Sequence, residues 1–369
     1  MLTQNNGVIQ LDVSQMTELL SNAYSALINN HTPLRNFPSV MLWGPPGVGK
    51  SQGIRQIAEK IRENTGKTVY VTDVRLLLFN PVDLRGIPTA NEDKTLAIWL
   101  RPQIFQMDDS RDVINILFLD EITAAPQSVQ AAAYQITLDR TVGEHRLPEN
   151  CIVIAAGNRI TDRSVAFNMP KALANRLCHI EIKGDSSAWH DWAVQTGIHP
   201  VVVGFLDYNS SVLNGFDPSS DNLAFPTPRT WEMVSNILRD ISENITEVYP
   251  LIAGCIGAKT AAALQTWYEV YQRIPDMKTV FGNGTKKDMS SERPEILYAT
   301  AAAMVDYARS GRTLAELQNS VEYACKMPME YRFRLFSDYY NIRHIRQDLQ
   351  HDRTFSDWVS YFREEGRLT

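Results

Sequence analysis

The feature that most limits what this chain can fold into is the segment Gly44-Pro-Pro-Gly-Val-Gly-Lys50-Ser51. It matches the pattern GxxxxGK[ST] at every fixed position, and it lies between an apolar run at 39–43 and a predicted helix at 50–62. Glycines let successive backbone N–H groups turn around phosphates, and the N-terminus of the following helix adds a favourable dipole. The segment therefore predicts a P-loop that binds a nucleotide rather than a plain connecting turn.

The predicted P-loop sets expectations for individual side chains. Lys50 is expected to reach the β- and γ-phosphates as a point charge, and the Ser51 hydroxyl is expected to bind Mg²⁺. ATP and Mg²⁺ are therefore the expected ligands. The residues expected to contact the nucleotide are Gly44, Pro45, Pro46, Gly47, Val48, Gly49, Lys50, Ser51 and Gln52.

A second motif is the segment Ile116-Leu-Phe-Leu-Asp120-Glu121, in which an apolar run is followed by two acidic residues. Ligands in open α/β sheets bind at the carboxyl ends of the strands, where this acidic pair would lie. Asp120 is expected to hold Mg²⁺ through water, and Glu121 is expected to orient and polarise the attacking water. The alternative is a pair that only starts the next helix, and the P-loop upstream makes that alternative the less favoured one.

Predicted strands and helices alternate up to about residue 183. Strands are predicted at 39–43, 68–72, 114–119, 151–156 and 178–182, and helices at 11–30, 50–62 and 126–138. This alternation predicts an α/β fold with a mostly parallel sheet covered on both faces. Later segments predict only helices, at 252–270, 292–309 and 314–324, and the stretch 281–288 is the best candidate for a linker or mobile loop.

Together these motifs resemble the AAA+ ATPases, specifically the MoxR-like branch, over roughly residues 35–275. The resemblance implies a P-loop α/β core with a leading helix at 1–183, an α-helical lid at 184–275 and a helical C-terminal extension at 276–369. It also implies an ATP hydrolase that forms a homo-oligomer, usually a hexameric ring. Such proteins typically remodel or activate a client protein, often beside a partner that carries a von Willebrand factor A domain.

The resemblance also implies roles for residues beyond the first two motifs. Asn158, after the run 152–156, corresponds to the sensor 1 residue that positions the attacking water. Arg176 is the expected arginine finger, acting on the ATP of a neighbouring subunit, with Arg159 and Arg163 as rivals. Arg229, after Pro228 at a predicted helix start, corresponds to sensor 2.

Two hairpins are predicted in the core, one following 80–86 and spanning 87–100, the other at 141–147. In relatives such inserts point into the ring pore or toward partners. Plain surface hairpins are the alternative interpretation.

Composition restricts the partners. The net charge of −6 gives no reason to expect a general nucleic-acid binder, so nucleic acid is the less favoured partner. The arginines and aromatic residues interleaved over 331–353 fit either stacking on bases or a helix with a buried aromatic face, and the second is favoured.

The sequence also bears on location and on rival functions. Four widely spaced cysteines, no apolar run of membrane-spanning length and no secretory signal predict the cytosol. Two rival functions stay open, an ATP-dependent assembly scaffold with little hydrolysis and a motor stimulated by nucleic acid.

Overall fold

The computed structural model describes residues 4–5, 8–159, 169, 174–217, 219–282 and 288–364. Contacts divide the chain into two units, one formed by residues 1–185 with 217–221 and the other by 186–216 with 222–369. The predicted division of the second half at residue 275 stays a prediction. No helix among the described residues has both the length and the apolar character needed to cross a membrane.

The first unit contains one large sheet and two small hairpins. Its strands are β1 (Gln4–Asn5), β2 (Val8–Leu11), β3 (Val40–Trp43), β4 (Thr68–Arg75), β5 (Ile87–Ala90), β6 (Ala97–Leu100), β7 (Val113–Asp120), β8 (Thr141–Val142), β9 (His145–Arg146), β10 (Cys151–Gly157) and β11 (Cys178–Ile182). The large sheet has the order β1-β2-β11-β3-β10-β7-β4. Its strands run parallel from β2 to β4, and β1 pairs antiparallel with β2. The predicted parallel sheet is confirmed, whereas β1 and β2 were not predicted.

Helices cover both faces of this sheet, as predicted. They are α1 (Val13–Asn29), α2 (Lys50–Thr65), α3 (Pro81–Arg85) and α4 (Gln127–Asp139). Strand β7 shows why both faces are apolar. Ile116 and Phe118 pack in the cluster that contains residues of α1 and α2, while Leu117 and Leu119 pack in the cluster that contains residues of α4. Successive side chains of a strand point to opposite faces of the sheet, so β7 contributes to both hydrophobic clusters.

The second unit is helical in its described residues, as predicted. Its helices are α5 (Ser186–Thr196), α6 (Pro200–Tyr208), α7 (Pro228–Asp240), α8 (Ile245–Ile256), α9 (Ala258–Tyr271), α10 (Met277–Phe281), α11 (Pro294–Arg309), α12 (Leu314–Ala324), α13 (Met329–Asn341), α14 (Arg343–Asp348) and α15 (Arg353–Glu364). The prediction of one helix over 252–270 is wrong. Gly257 adopts φ 80°, which separates α8 from α9. Of the predicted linker at 281–288, residues 283–287 lie outside the described residues.

A buried ionic cluster joins three helices of the second unit. The His190 ring on α5 lies 2.9 Å from Asp207 on α6 through Nδ1 and 2.9 Å from Asp338 on α13 through Nε2. Arg334 also donates to Asp207. Burial by itself lowers the pKa of His190, but Asp338 and Asp207 outweigh it and raise the pKa to about 10. His190 is thus a charged link between these helices.

Removing this link is expected to destabilise the second unit. In His190→Gln, Asp338 loses its contact with the histidine cation and Asp207 keeps Arg334, at a cost of about 3–5 kcal/mol in the free energy of unfolding. Because the folded-state pKa lies above the unfolded value, the wild-type contribution is complete below about pH 6.5 and is lost as pH rises through about 10. Urea unfolding at pH 6.5 and 9.5 measures both effects, with exposed His344→Gln as the control. Equal pH slopes for wild type and His190→Gln would contradict the assignment.

Candidate nucleotide-binding site

The P-loop connects β3 to α2, which is the predicted setting. Gly47 and Gly49 have φ values of 76° and 102°, a region of backbone conformation that favours glycine. Gly44 has no room for a side chain, because a Cβ there would lie 2.7 Å from the Ile182 carbonyl oxygen. Helix α2 then begins at Lys50. The sequence therefore places backbone N–H groups at a helix N-terminus, which suits phosphate binding.

Lys50 connects the P-loop with the end of β10. Its ammonium donates to the carbonyl oxygens of Gly44 at 2.6 Å and Pro45 at 3.0 Å, and to Asn158 Oδ1 at 3.0 Å. The side chain is buried although it is cationic. Lys50 and Asn158 are thus in direct contact, although they lie 108 positions apart in sequence. Both were predicted to serve the same site.

Ser51 and Asp120 lie together as a pair of oxygen ligands. Ser51 Oγ donates to Asp120 Oδ2 at 3.1 Å, and the other carboxylate oxygen of Asp120 accepts from the Glu121 backbone N–H at 2.9 Å. Hydroxyl and carboxylate oxygens are donors that Mg²⁺ accepts. These two residues therefore fit the magnesium ion expected from the sequence.

Asp73, which was not predicted as a site residue, lies close enough to Asp120 for their charges to interact. Partial burial raises the pKa of Asp73 on β4, and the nearby charge of Asp120 raises it further. Asp73 pairs in register with Phe118, two residues before Asp120. No motif marked Asp73, since its place beside β7 follows only from the sheet order.

Glu121 has an unusual backbone conformation. Its φ is 58°, which for a non-glycine residue costs about 1–2 kcal/mol. Flanking hydrogen bonds hold it, with Ile122 N donating to the Ala156 carbonyl at 2.9 Å and Ala124 N to the Glu121 carbonyl at 3.0 Å. The conformation turns the chain just past β7, so that the two predicted acidic residues lie on a sharp bend beside β10.

Asn158 is held by Thr123, which the sequence did not single out. Thr123 Oγ1 donates to the Asn158 carbonyl and accepts from the Asn158 N–H, both at 3.1 Å. The preceding Gly157 allows this approach, since a Cβ there would lie 2.6 Å from Thr123 Oγ1 and 2.9 Å from Met41 Cε. The turns that carry Glu121 and Asn158 are therefore packed directly against each other.

Filling this contact is expected to disturb the site. Gly157→Ala should lower the stability of the first unit by about 1–3 kcal/mol, because Thr123 and Met41 must shift. Thermal unfolding measures the change. The matched control is Gly254→Ala, whose Cβ meets nothing within 4 Å on the exposed face of α8 and should stabilise by about 0.5–1 kcal/mol. Similar shifts for the two variants would contradict the packing described.

The candidate arginines have different surroundings. Arg159 forms a salt bridge with Glu181 at 2.6 Å, and Gln10 donates to the same carboxylate oxygen at 2.9 Å. Arg163 lies outside the described residues. Arg176 is exposed, in a turn just before β11. Because Arg176 is exposed, it suits contact with another molecule. Arg159 suits such a contact less well, because Glu181 of the same chain neutralises its charge.

Arg229 lies in the second unit as the second residue of α7. Thr227 caps this helix by accepting a hydrogen bond from Thr230 N at 3.2 Å, and Pro228 occupies the first helical position. The predicted helix start is confirmed. The arginine side chain is exposed, and its role as sensor 2 stays a prediction.

Comparison with known proteins identifies the first unit. Residues 39–179 match the ATPase family associated with various cellular activities (AAA). This segment is an AAA-type ATPase domain of the MoxR-like branch. The match runs from the strand before the P-loop into β11, and it includes Lys50, Glu121, Asn158 and Arg176. The predictions of a P-loop AAA+ fold and of an ATP-hydrolysing enzyme are confirmed.

Solved structures similar to this chain are remote in sequence. PCH-2 of C. elegans is 13% identical with a TM-score of 0.35, and the similarity covers 72% of this chain and 69% of PCH-2. A protein of Cytophaga hutchinsonii is 14% identical with a TM-score of 0.33, covering 95% and 88%. A RuvB variant of Thermotoga maritima is 14% identical with a TM-score of 0.35, covering 79% and 84%. Among curated proteins, none matches the chain.

Proposed function

We propose that this AAA-type ATPase forms a ring whose subunits share their active sites and that the ring uses ATP hydrolysis to remodel or activate a client protein. The observation that carries the proposal is the convergence of Lys50, Asp120 and Asn158 at one edge of the sheet, together with an exposed Arg176. The first three suit one bound nucleotide, whereas the exposed arginine suits contact with another molecule. Closed rings are the common way to repeat such a contact.

The proposed reaction gives each of these side chains one role. Residues 44–52 bind ATP, with Lys50 on the β- and γ-phosphates. Glu121 accepts a proton from water as the water oxygen attacks the γ-phosphorus, and the bond to the β–γ bridging oxygen breaks to release ADP and phosphate. Asn158 orients this water. Ser51 and Asp120 would hold Mg²⁺, which when bound neutralises charge on the phosphate oxygens.

Two groups complete the site from elsewhere. Arg176 of a neighbouring subunit supplies positive charge to the transferring phosphoryl group, which is why assembly is required. Arg229 at the start of α7 keeps its proposed role as sensor 2.

The two hairpins are the parts proposed to contact the client. Hairpin β5–β6 exposes apolar side chains, including Ile87 and Leu100, each more than half exposed. Hairpin β8–β9 contacts hairpin β5–β6, because a ring nitrogen of His145 lies 2.8 Å from the Trp99 carbonyl oxygen. Strand β8 continues directly from α4, and α4 follows the bend at Glu121. A movement at Asp120 and Glu121 can therefore pass through α4 and β8 to the exposed apolar side chains of β5–β6. This apolar surface suits the binding of an unfolded protein segment.

The partner and compartment follow from the family resemblance and the cysteine pattern. A protein with a von Willebrand factor A domain is the proposed companion that delivers the client, and a hexamer is the proposed ring size. All four cysteines are free thiols. We retain the cytosol as the proposed compartment.

The structure favours this function over the nucleic-acid motor. The aromatic residues of the 331–353 stretch that would stack on bases are largely buried, among them Phe336, Tyr339 and Tyr340. They pack in the core of the second unit. The basic residue Arg334 is occupied with Asp207. Base stacking needs exposed aromatic faces, so this stretch is better explained as a packed helix.

The assembly claim is tested with Glu121→Gln, which should bind ATP without consuming it. Sedimentation of this variant with ATP and Mg²⁺ is expected to give the mass of a closed ring, and a smaller species is expected without nucleotide. A mass that stays that of one chain at every ATP and protein concentration would contradict the proposal.

A further inference from the structure

A pair of aromatic side chains connects the strand before the P-loop with the turn that carries Arg176. The Trp43 indole Nε1 donates to His179 Nδ1 at 2.9 Å, and the two rings stack with centroids 5.9 Å apart and an interplanar angle of 22°. Trp43 is the last residue of β3, directly before Gly44. His179 is the second residue of β11. Neither residue has a role in the reaction described above.

The hydrogen bonds define the tautomer of His179. Because the indole N–H can only donate, Nδ1 of the imidazole must accept and carries no proton. Nε2 therefore carries the proton, and it donates to the Ala174 carbonyl oxygen at 2.7 Å. These two hydrogen bonds thus fix the ring in both position and orientation.

The Ala174 carbonyl opens the turn on which Arg176 lies. Leu177 N donates to the same oxygen at 3.2 Å, which makes Asn175 and Arg176 the two central residues of a four-residue turn. The far side of the turn is anchored, since the Leu177 side chain is buried and Cys178 N donates to the Ser39 carbonyl at 3.0 Å. His179 fixes the near side.

We propose that His179, oriented by Trp43, is a positioning residue that presents Arg176 to the ATP of the neighbouring subunit. The proposal rests on the proposed function of Arg176 as a finger acting between subunits. An arginine that acts at a transferring phosphoryl group must be held to well within 1 Å of its working position. The exposed guanidinium obtains this precision from its backbone, and the Trp43–His179 pair ties that backbone to the strand that leads into the P-loop.

The test uses oligomers mixed from two variants, of which one supplies an intact ATP site and the other supplies the arginine finger. Arg176→Ala subunits keep an intact ATP site but give no finger, and Glu121→Gln subunits bind ATP and give a finger but do not hydrolyse. Their mixture should hydrolyse ATP faster than either variant alone. Adding His179→Phe to the Glu121→Gln subunits should lower the recovered rate by about ten- to a hundredfold, since a misplaced catalytic group costs about that much. Phenylalanine keeps a flat ring but neither hydrogen bond.

The reciprocal mixture separates positioning from general damage. When His179→Phe is placed instead in the Arg176→Ala subunits, whose own finger is already absent, the recovered rate should match the control mixture. Equal losses in both arrangements would overturn the proposal in favour of a purely structural role. An unchanged rate in both would overturn it directly.

Two further arms keep the result interpretable. His179→Gln retains one acceptor and one donor and should recover the rate to within several-fold of the control mixture, whereas Trp43→Phe in the Glu121→Gln subunits should lower it, as His179→Phe does. An inactive control mixture, with no His179 change, would show that Arg176 does not act between subunits. That outcome overturns the proposed function itself and is distinct from a failure of His179 alone.

Discussion

Glu121→Gln is expected to lower the rate of ATP hydrolysis by about 10²- to 10⁴-fold while ATP affinity changes by no more than several-fold. Glutamine has nearly the shape of glutamate but cannot accept the proton of the attacking water. The contacts of Lys50 with Gly44, Pro45 and Asn158 are expected to persist, because glutamine keeps the size of glutamate. Stopped-flow nucleotide binding and steady-state phosphate release measure the two effects separately.

The control for this variant is Glu63→Gln, an exposed residue near the far end of α2. It removes one carboxylate from the same unit away from the carboxyl edge of the sheet, and it should leave both quantities unchanged. A wild-type hydrolysis rate in Glu121→Gln would show that another group activates the water. Loss of ATP binding in Glu121→Gln would show instead that this residue holds the nucleotide site together.

Arg176→Ala is expected to lower hydrolysis by about 10³-fold or more in the assembled protein, the magnitude typical of arginine fingers. ATP binding by an isolated subunit should not change, because the finger serves a neighbour. The measurement is the hydrolysis rate at saturating ATP and at a protein concentration where sedimentation shows complete assembly.

Arg111→Ala is the matched control for Arg176→Ala. Arg111 is exposed and lies just before β7, at the amino ends of the parallel strands and away from the acidic pair. Its loss should leave the rate unchanged. If Arg159→Ala gave the large loss and Arg176→Ala did not, the salt bridge between Arg159 and Glu181 would have to open during the reaction, and the finger assignment would move to Arg159.

The first unit was predictable because its signals are local. Each strand of the parallel sheet beyond β2 has a short apolar or β-branched run that stands out in the sequence, and the P-loop and acidic pair mark two strand ends. Strand β2 was missed because Val8–Leu11 has mixed polarity and gains its place only by pairing with β11, far along the chain. Gly257 was missed because an isolated glycine is tolerated inside many helices.

The contacts inside the site were predictable only in part. The motifs predicted that Lys50, Asp120 and Asn158 serve one nucleotide, since parallel strands bring their carboxyl ends to one edge. They gave no sign of the Thr123–Asn158 contact or of the Trp43–His179 pair, because those depend on the register between strands rather than on residue type. A tryptophan and a histidine 136 positions apart have no shared pattern in a single sequence.

The measurement that tests the central claim most directly is the ATP hydrolysis rate per subunit as a function of protein concentration. A site completed by a neighbouring Arg176 predicts a rate that rises with concentration and reaches a plateau where sedimentation shows complete assembly. A rate per subunit that is substantial and constant down to concentrations where single chains predominate would contradict a shared active site.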